Sequence, residues 1–212
     1  MNIKTFVSFS MGENCYAVQT ESGIIIVDPG EFSMELRSYL AENKDAVKYI
    51  LLTHCHFDHI GGLKMVQNIC KGAKTVIHSM DEKGLWDSTY SLTGIFGCAD
   101  INASADITVK DRDELLLGNT KITVLHTPGH TAGSVCYFID NLLFSGDTLF
   151  KESYGRTDFP SGSTENLLKS LNRLSKLKGE TTVYPGHGEP TTIDYEKRYN
   201  PGMSNNSWDF YL

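Results

Sequence analysis

Four side chains that can bind a metal ion stand within six residues of one another, in residues 53–59 (Thr-His-Cys-His-Phe-Asp-His). They are His54, His56, Asp58 and His59. Side chains of an extended chain alternate between two sides, so His54 and His56 face one way and Cys55 the other. The whole chain has seven histidines, and three in one short window are more than random placement would give. Because imidazole and carboxylate are common zinc ligands, this spacing predicts a metal site.

The residues around this cluster place it at the end of a strand. The apolar residues 49–52 (Tyr-Ile-Leu-Leu) directly before it predict a short buried strand. Gly61 and Gly62 after it predict a tight turn, and residues 63–66 begin a helix. The strand therefore carries the cluster at its carboxyl end, where open α/β folds commonly bind their ligands.

Three later segments repeat the order of strand, tight turn and metal-binding side chain. Residues 124–127 lead to His130, residues 143–146 lead to Asp147, and residues 183–186 lead to His187. In each, glycine or proline breaks the strand shortly before the polar side chain. Alone, these three residues also fit a helix cap, a turn acid and a surface histidine. Their repetition, together with the cluster, predicts a metal centre assembled from several strand ends.

Composition describes an ordinary soluble protein of 212 residues, with 40% hydrophobic and 21% charged residues and a formal net charge of −7. This length predicts one domain over residues 1–212. The acidic balance argues against nucleic acid as a partner, and no apolar run is long enough to predict a membrane span. The five cysteines form no Cys-x-x-Cys pair and the N-terminus shows no signal peptide, so a cytoplasmic location is expected.

Strands followed by helices occur twice, once before residue 80 and once from residue 106 onward. Residues 163–177 give the clearest helix, with Ser163 as a candidate cap and a stripe of leucines. Each of these two segments predicts a sheet with helices on one face, and the two sheets are expected to pack together. The predicted fold class is α/β, a four-layered αββα sandwich of two mixed β-sheets flanked by helices. Residues 79–104 lack periodicity and fit either a loop over a pocket or irregular helices packed on the core.

The four ligand segments together resemble the metallo-β-lactamase superfamily, and the resemblance spans essentially the whole chain. Asp28, in residues 27–30 (Val-Asp-Pro-Gly), also matches an early aspartate motif of that superfamily. Three further segments resemble its compact glyoxalase II-like (hydroxyacylglutathione hydrolase-like) enzymes: residues 13–16 (Glu-Asn-Cys-Tyr), 155–160 (Gly-Arg-Thr-Asp-Phe-Pro) and 200–201 (Asn-Pro). The resemblance implies the metallo-β-lactamase fold and a binuclear metallohydrolase.

The resemblance also implies a ligand set for two divalent metal ions. One ion would be held by His54, His56 and His130, the other by Asp58, His59 and His187, and both by Asp147 as a bridge. Asp58 is also expected to be a catalytic residue. These ligand types suit zinc first, with iron and manganese as alternatives. The superfamily's β-lactamases usually have a cysteine where this chain has Asp147, so β-lactam hydrolysis is not expected as the main function.

Asp28 has two interpretations that the sequence leaves open. Carboxylates commonly orient metal-binding histidines from outside the coordination sphere, and the resemblance implies that role for Asp28. An aspartate before Pro-Gly equally suits a turn.

The implied substrate is a small-molecule thioester, an S-acyl thiol such as S-lactoylglutathione, cleaved by a metal-bridging hydroxide. Two close metal ions lower the pKa of a shared water to about 7. A thiolate then leaves without strong proton assistance, because thiol pKa values lie near about 8.5. Lys151, Tyr154 and Arg156 are candidate substrate-binding residues, although Arg156 equally suits a structural salt bridge.

The C-terminal residues leave the thiol carrier open. Full-length glyoxalase II enzymes grip glutathione with basic residues of a C-terminal helical region, whereas Lys197 and Arg198 are the only basic residues after His187. A different thiol is therefore an alternative. The aromatic tail with Trp208 and Phe210 fits packing on its own domain or on a neighbouring subunit.

Three other functions compete with thioester hydrolysis. The main rival is a persulfide dioxygenase acting on glutathione persulfide with a single iron held by His54, His130 and Asp147; that family also resembles residues 155–159. A metallo-nuclease is disfavoured by the acidic balance. A non-catalytic metal scaffold is disfavoured because structural zinc sites are normally closed and four-coordinate, whereas seven candidate ligands in two sets leave open positions.

Overall fold

The computed structural model describes residues 1–31 and 33–203, so the aromatic tail lies outside the described residues. A first six-stranded sheet contains, in spatial order, β1 (Asn2–Val7), β2 (Asn14–Thr20), β3 (Gly23–Val27), β4 (Val47–Leu51), β5 (Lys74–His78) and β6 (Ile107–Val109). Strands β1 to β3 pair antiparallel and β3 to β6 pair parallel. Helix α1 (Met34–Asn43) lies between β3 and β4, and helices α2 (Phe57–Ile60) and α3 (Leu63–Ile69) lie between β4 and β5.

The second half of the chain forms another six-stranded sheet. Its strands are β7 (Glu114–Leu117), β8 (Thr120–His126), β9 (Val135–Ile139), β10 (Leu142–Gly146), β13 (Thr182–Pro185) and β14 (Thr191–Thr192). Strands β10 and β13 are parallel, while the other neighbours are antiparallel. A small hairpin, β11 (Leu149–Phe150) with β12 (Ser153–Tyr154), precedes α5 (Thr164–Leu174), and α6 (Ile193–Tyr199) follows β14.

Three buried apolar layers hold the sheets and helices together, and strand β3 contributes to two of them. Ile24 and Ile26 join the layer shared with α1 and α3, whereas Ile25 and Val27 join the layer between the two sheets. Because side chains alternate along a strand, a strand covered on both faces is apolar without interruption. The third layer packs α5 on the second sheet. This arrangement confirms the predicted αββα sandwich of two mixed sheets.

Helix α5 shows why one predicted helix forms where the sequence indicates. The Ser163 side chain accepts a hydrogen bond from the Asn166 N–H at 3.3 Å, which caps the first turn. Leu167, Leu171 and Leu174 are fully buried on one face, and each contributes about 1.5–3 kcal/mol by leaving water. The helix ends at Leu174, three residues before the predicted end at residue 177.

Residues 79–104 fold into short, irregular elements that serve both predicted roles. They contain a 3₁₀-helix over Glu82–Leu85 and a single helical turn, α4 (Thr93–Phe96). Leu85 is buried in the layer beneath the first sheet's helices. Leu92 is buried as well, and its backbone is left-handed, with φ 67°. The residue before it contacts the start of α2, where the Phe57 N–H donates to the Ser91 carbonyl.

The strand ends that carry the predicted ligands meet at one edge of the sandwich. The Val135 N–H donates to the Thr53 carbonyl at 2.9 Å and so joins the two sheets beside the cluster of residues 53–59. The Gly186 N–H donates to the Gly146 carbonyl, also at 2.9 Å, and aligns the loops after β10 and β13. Among the described residues, no helix is long and apolar enough to cross a membrane.

Candidate metal centre

Seven predicted ligands converge at this edge in two sets of donor atoms. Within each set the donor atoms lie within 4.8 Å of one another: His54, His56 and His130 in the first, and Asp58, His59 and His187 in the second. Asp147 reaches both sets. Its Oδ2 lies 3.5 Å from His130 Nε2, and its Oδ1 lies 3.2 Å from His59 Nε2. The structure therefore brings together all seven residues, with Asp147 between the sets.

Two ring nitrogens of this centre lack a protein partner. His54 Nε2 and His56 Nε2 are buried without a hydrogen bond among the described residues, although buried polar atoms are nearly always paired. His56 Nδ1 and His130 Nε2 lie only 2.8 Å apart, and Asp147 Oδ2 lies 3.5 Å from His130 Nε2. Unpaired buried nitrogens beside a carboxylate oxygen fit cation binding, so the donor set suits divalent metal ions.

Hydrogen bonds outside the donor sets orient three of the imidazole rings. His130 Nδ1 donates to the Arg156 carbonyl at 2.7 Å, and His59 Nδ1 donates to Asp28 Oδ2 at 3.0 Å. His54 Nδ1 lies 3.1 Å from the Thr53 hydroxyl, which itself donates to Asp28. These partners hold a proton on each Nδ1, so that Nε2 is the ring atom directed toward a metal ion. Asp28 thus lies where its orienting role requires it.

The local electrostatics favour the protonation states that metal ions bind. Burial, together with neighbouring histidines, lowers the pKa of His56 to about 3 and lowers the pKa of His54. Burial opposes ionisation of Asp147, but His59 outweighs it and keeps the pKa of that carboxyl below its ordinary value. Burial likewise opposes the charged form of His59, yet Asp147 and Asp58 raise its pKa. A metal ion must therefore displace a proton from His59.

Asp81 is a functional residue that the sequence analysis missed. It is 1% exposed, and it accepts hydrogen bonds from Cys55 N–H (3.0 Å), the Thr131 hydroxyl (2.7 Å) and Gly133 N–H (2.7 Å). Burial raises its pKa, and these donors oppose that shift. Asp81 therefore ties the loop of His54 to the loop of His130. Its position shortly after β5, like that of the ligands after other strands, was the available signal.

The loop of His187 is held by two residues near the start of β2. Asn14 Nδ2 donates to the Pro185 and Gly188 carbonyls, at 3.0 and 2.9 Å, and the Tyr16 hydroxyl donates to the same Pro185 carbonyl at 2.6 Å. Gly186 in that loop has no room for a side chain, because an added Cβ would lie 2.6 Å from His59 Cε1 and would overlap Asp147. The close approach of this loop to the centre thus requires glycine.

A cavity of about 410 Å³ opens onto the centre. Its wall contains the ligands His56, Asp58, His130, Asp147 and His187, beside Met11, Phe57, Leu92, Phe96, Phe150, Arg156 and Phe159. A larger hollow of about 620 Å³ lies among turns at the opposite strand ends, around Thr20 and Asn119, far from these donors. The chemistry therefore belongs to the smaller cavity.

The three candidate substrate-binding residues fall in different places. Arg156 lines the cavity. Lys151 does not, and its Nζ pairs with Glu189 at 2.8 Å. Tyr154 does not either, since it packs with the apolar layer beneath α5. Lys151 and Tyr154 thus lie outside the cavity wall, and substrate contact from them stays a prediction.

A sequence model of the metallo-β-lactamase superfamily matches residues 11–187. The chain belongs to the metallo-β-lactamase superfamily. Hydroxyacylglutathione hydrolase GloC of Haemophilus influenzae is 34% identical to it, over 98% of this chain and 100% of that protein.

Solved structures agree with this assignment. The B3 metallo-β-lactamase BLEG-1 superposes on this protein with a TM-score of 0.88 at 33% identity. The superposition covers 96% of this protein and 100% of BLEG-1. TTHA1623, solved in a di-iron-bound form, gives 0.79 at 31% identity, over 93% and 98%. With its two His/Asp donor sets, this superfamily member is a metal-dependent hydrolase.

Proposed function

We propose that this superfamily member is a binuclear thioesterase, which hydrolyses S-acyl thiols such as S-lactoylglutathione. The observation that carries the proposal is the pair of donor sets that share Asp147 beside a cavity. The full-length similarity to a hydroxyacylglutathione hydrolase supports the choice of substrate. We further propose zinc as the metal, although the di-iron form of a relative keeps iron as an alternative.

Each part of the site has a role in this proposal. Two divalent ions held by the two donor sets and Asp147 would lower the pKa of a bound water to about 7 and would polarise the thioester carbonyl. Asp58 lies against the cavity, with its Oδ2 3.4 Å from His187 Nε2, and it accepts the proton of the attacking water. The water oxygen bonds to the acyl carbon, the carbon–sulfur bond breaks, and a thiolate leaves with the electron pair.

The test is an anaerobic assay of metal-quantified protein with S-lactoylglutathione, in which released thiol is measured. We expect turnover that depends on about two metal ions per chain, as two donor sets imply. The rival persulfide dioxygenase needs only His54, His130 and Asp147, which leaves the second donor set without a purpose. Absence of thiol release, with oxygen uptake on glutathione persulfide instead, would establish the rival.

The similarity to BLEG-1 favours β-lactam hydrolysis as a second candidate. The same metal-loaded protein can be assayed with a chromogenic cephalosporin. We expect a lower kcat/KM than for thioesters, because an amine leaving group needs a proton and a thiolate does not. A higher value for the cephalosporin would make the β-lactamase the better description.

A further inference from the structure

The cavity wall beside the metal donors is aromatic. The Phe96 ring lies 5.1 Å from the Phe57 ring and 6.0 Å from the Phe159 ring, between ring centres. This aromatic wall touches the donors directly, since the centre of the Phe159 ring lies 5.8 Å from that of His56. On the side of the second donor set, Phe150 lies 5.9 Å from His187. A group attached to a carbonyl at the metal centre therefore meets aromatic rings at once.

The same wall offers little to a negatively charged group. Of the described residues that line the cavity, Arg156 alone carries a fixed positive charge. Its Nε and Nη2 both donate to the Asp158 carboxylate at 2.6 Å, and its guanidinium carbon lies 4.0 Å from the centre of the Phe159 ring. Asp158 offsets part of this charge in an exposed ion pair, and the stacked guanidinium extends the flat surface of Phe159.

Residues 79–104 supply Leu92 and Phe96 to this wall. Leu92 adopts a left-handed backbone, with φ 67°, which is uncommon for a residue with a branched side chain. It is 2% exposed and lines the cavity. One helical turn later, Phe96 remains 48% exposed at the cavity mouth. An exposed aromatic ring over a cavity is available to cover a ligand that enters it.

We infer that the thioester substrate carries an apolar acyl group of aromatic size, which packs against Phe57, Phe96 and Phe159. This inference rests on the proposed thioesterase function and specifies its substrate class. A lactoyl group is too small to reach across this wall, and the three aromatic rings themselves offer its hydroxyl no N–H, O–H or carbonyl partner. The acyl group and the thiol sulfur are both bonded to the reacting carbonyl carbon. We assign the apolar acyl group to the wall because the wall is aromatic, and the polar thiol carrier then extends to solvent.

The experiment uses four thioesters: lactoyl and phenylacetyl groups, each on glutathione and on the uncharged thiol N-acetylcysteamine. Thiol release by the metal-loaded enzyme gives kcat/KM for each. We expect phenylacetyl to exceed lactoyl by about 10–100-fold on both thiols, as burial of one aromatic ring provides. The Phe96→Ala variant should reduce that ratio by about 10-fold. Trp86→Ala should leave the ratio unchanged, because Trp86 belongs to the same segment but is 53% exposed and outside the cavity wall.

The outcomes separate the inference from the function on which it rests. Equal rates for both acyl groups, or faster lactoyl cleavage, overturn the inference and leave the thioesterase standing. A preference that follows the thiol instead of the acyl group also overturns it. Failure to cleave any of the four thioesters overturns the proposed function itself. Unfolding midpoints of both variants verify that each has folded before the ratios are compared.

Discussion

Replacing Asp28 by asparagine tests how the fold sets the tautomer of a ligand histidine. Asp28 Oδ1 accepts from the Thr53 N–H at 2.7 Å, while Oδ2 accepts from the Thr53 hydroxyl at 2.6 Å and from His59 Nδ1–H at 3.0 Å. An amide has the same shape but only one acceptor atom. The asparagine would also tolerate the left-handed backbone at this position, φ 47°, as aspartate does.

Either orientation of the amide disturbs the centre. If its oxygen stays on the Thr53 N–H, its NH₂ faces His59 Nδ1, and the ring proton moves to Nε2, the atom that faces Asp147. If the amide turns round, His59 keeps its tautomer, but the NH₂ faces the buried Thr53 N–H at a cost of about 1–3 kcal/mol. Metal binding requires the second arrangement, so affinity for the ion at His59 should fall by about 10–100-fold.

The assay titrates metal-free protein with Zn²⁺ in competition with a chromogenic chelator and resolves two affinities. We expect only one of them to fall in Asp28→Asn. Asp106→Asn is the matched control, because Asp106 also accepts from a backbone N–H, that of Thr75 at 2.9 Å, at the end of β5 away from the centre. Wild-type affinity for both ions in Asp28→Asn would refute the tautomer argument.

Three further predictions concern stability. Gly84→Ala should destabilise the protein by about 1–3 kcal/mol, because the new Cβ would overlap Cys55. Gly72→Ala is the control in thermal unfolding and should show no such loss of stability, because a Cβ added there has no neighbouring atom within 4 Å. Burial and His126 lower the pKa of His78 to about 4, so the unfolded state binds more protons and stability falls as pH drops from about 6.5. The His78→Phe variant retains an aromatic ring to stack on His126, 4.1 Å away in the wild type. In metal-free protein, this variant should lose about 2–3 kcal/mol less unfolding free energy than the wild type between pH 7 and pH 4.5. Urea unfolding at the two pH values measures this difference, and an equal pH dependence of the two proteins contradicts the prediction. Chelation of the metal ions should lower the melting temperature, and added Zn²⁺ should restore it. At a free Zn²⁺ concentration of about 100 times the dissociation constant, each occupied site adds about 2.7 kcal/mol to the free energy of unfolding. An unchanged melting temperature would contradict metal binding by the folded state.

The sequence allowed the ligands to be predicted because each depends on a local pattern. His54 and His56 alternate just after β4, and His187 follows a Pro-Gly break after β13. Local patterns do not predict which ligand residues of the first sheet meet which ligand residues of the second. His56 meets His130 through contacts between residues 74 positions apart, and only the family resemblance indicated that assignment.

The position of Asp81 after β5 was a signal, but its hydrogen-bond partners could not be predicted, because they are distant in the sequence. They lie 26, 50 and 52 positions away, at Cys55, Thr131 and Gly133. A lone aspartate in an irregular segment looks the same whether it is solvated or buried. The irregular segment itself was equally ambiguous, since its apolar residues divide between two surfaces: Leu85 packs on the core and Phe96 lies at the cavity mouth.

These long-range contacts decide how the centre depends on the fold. The three apolar layers join strands and helices through hydrophobic side chains, and their burial stabilises the sandwich without contacts to a metal ion. The ligand loops do depend on the sandwich, because Asp28 and Asp81 hold them through hydrogen bonds to backbone N–H groups of Thr53, Cys55 and Gly133. The buried ring nitrogens His54 Nε2 and His56 Nε2, which have no hydrogen-bond partner among the described residues, cost stability until a cation pairs with them. Metal binding therefore stabilises this edge of the sandwich locally, and the rest of the fold provides the geometry in advance.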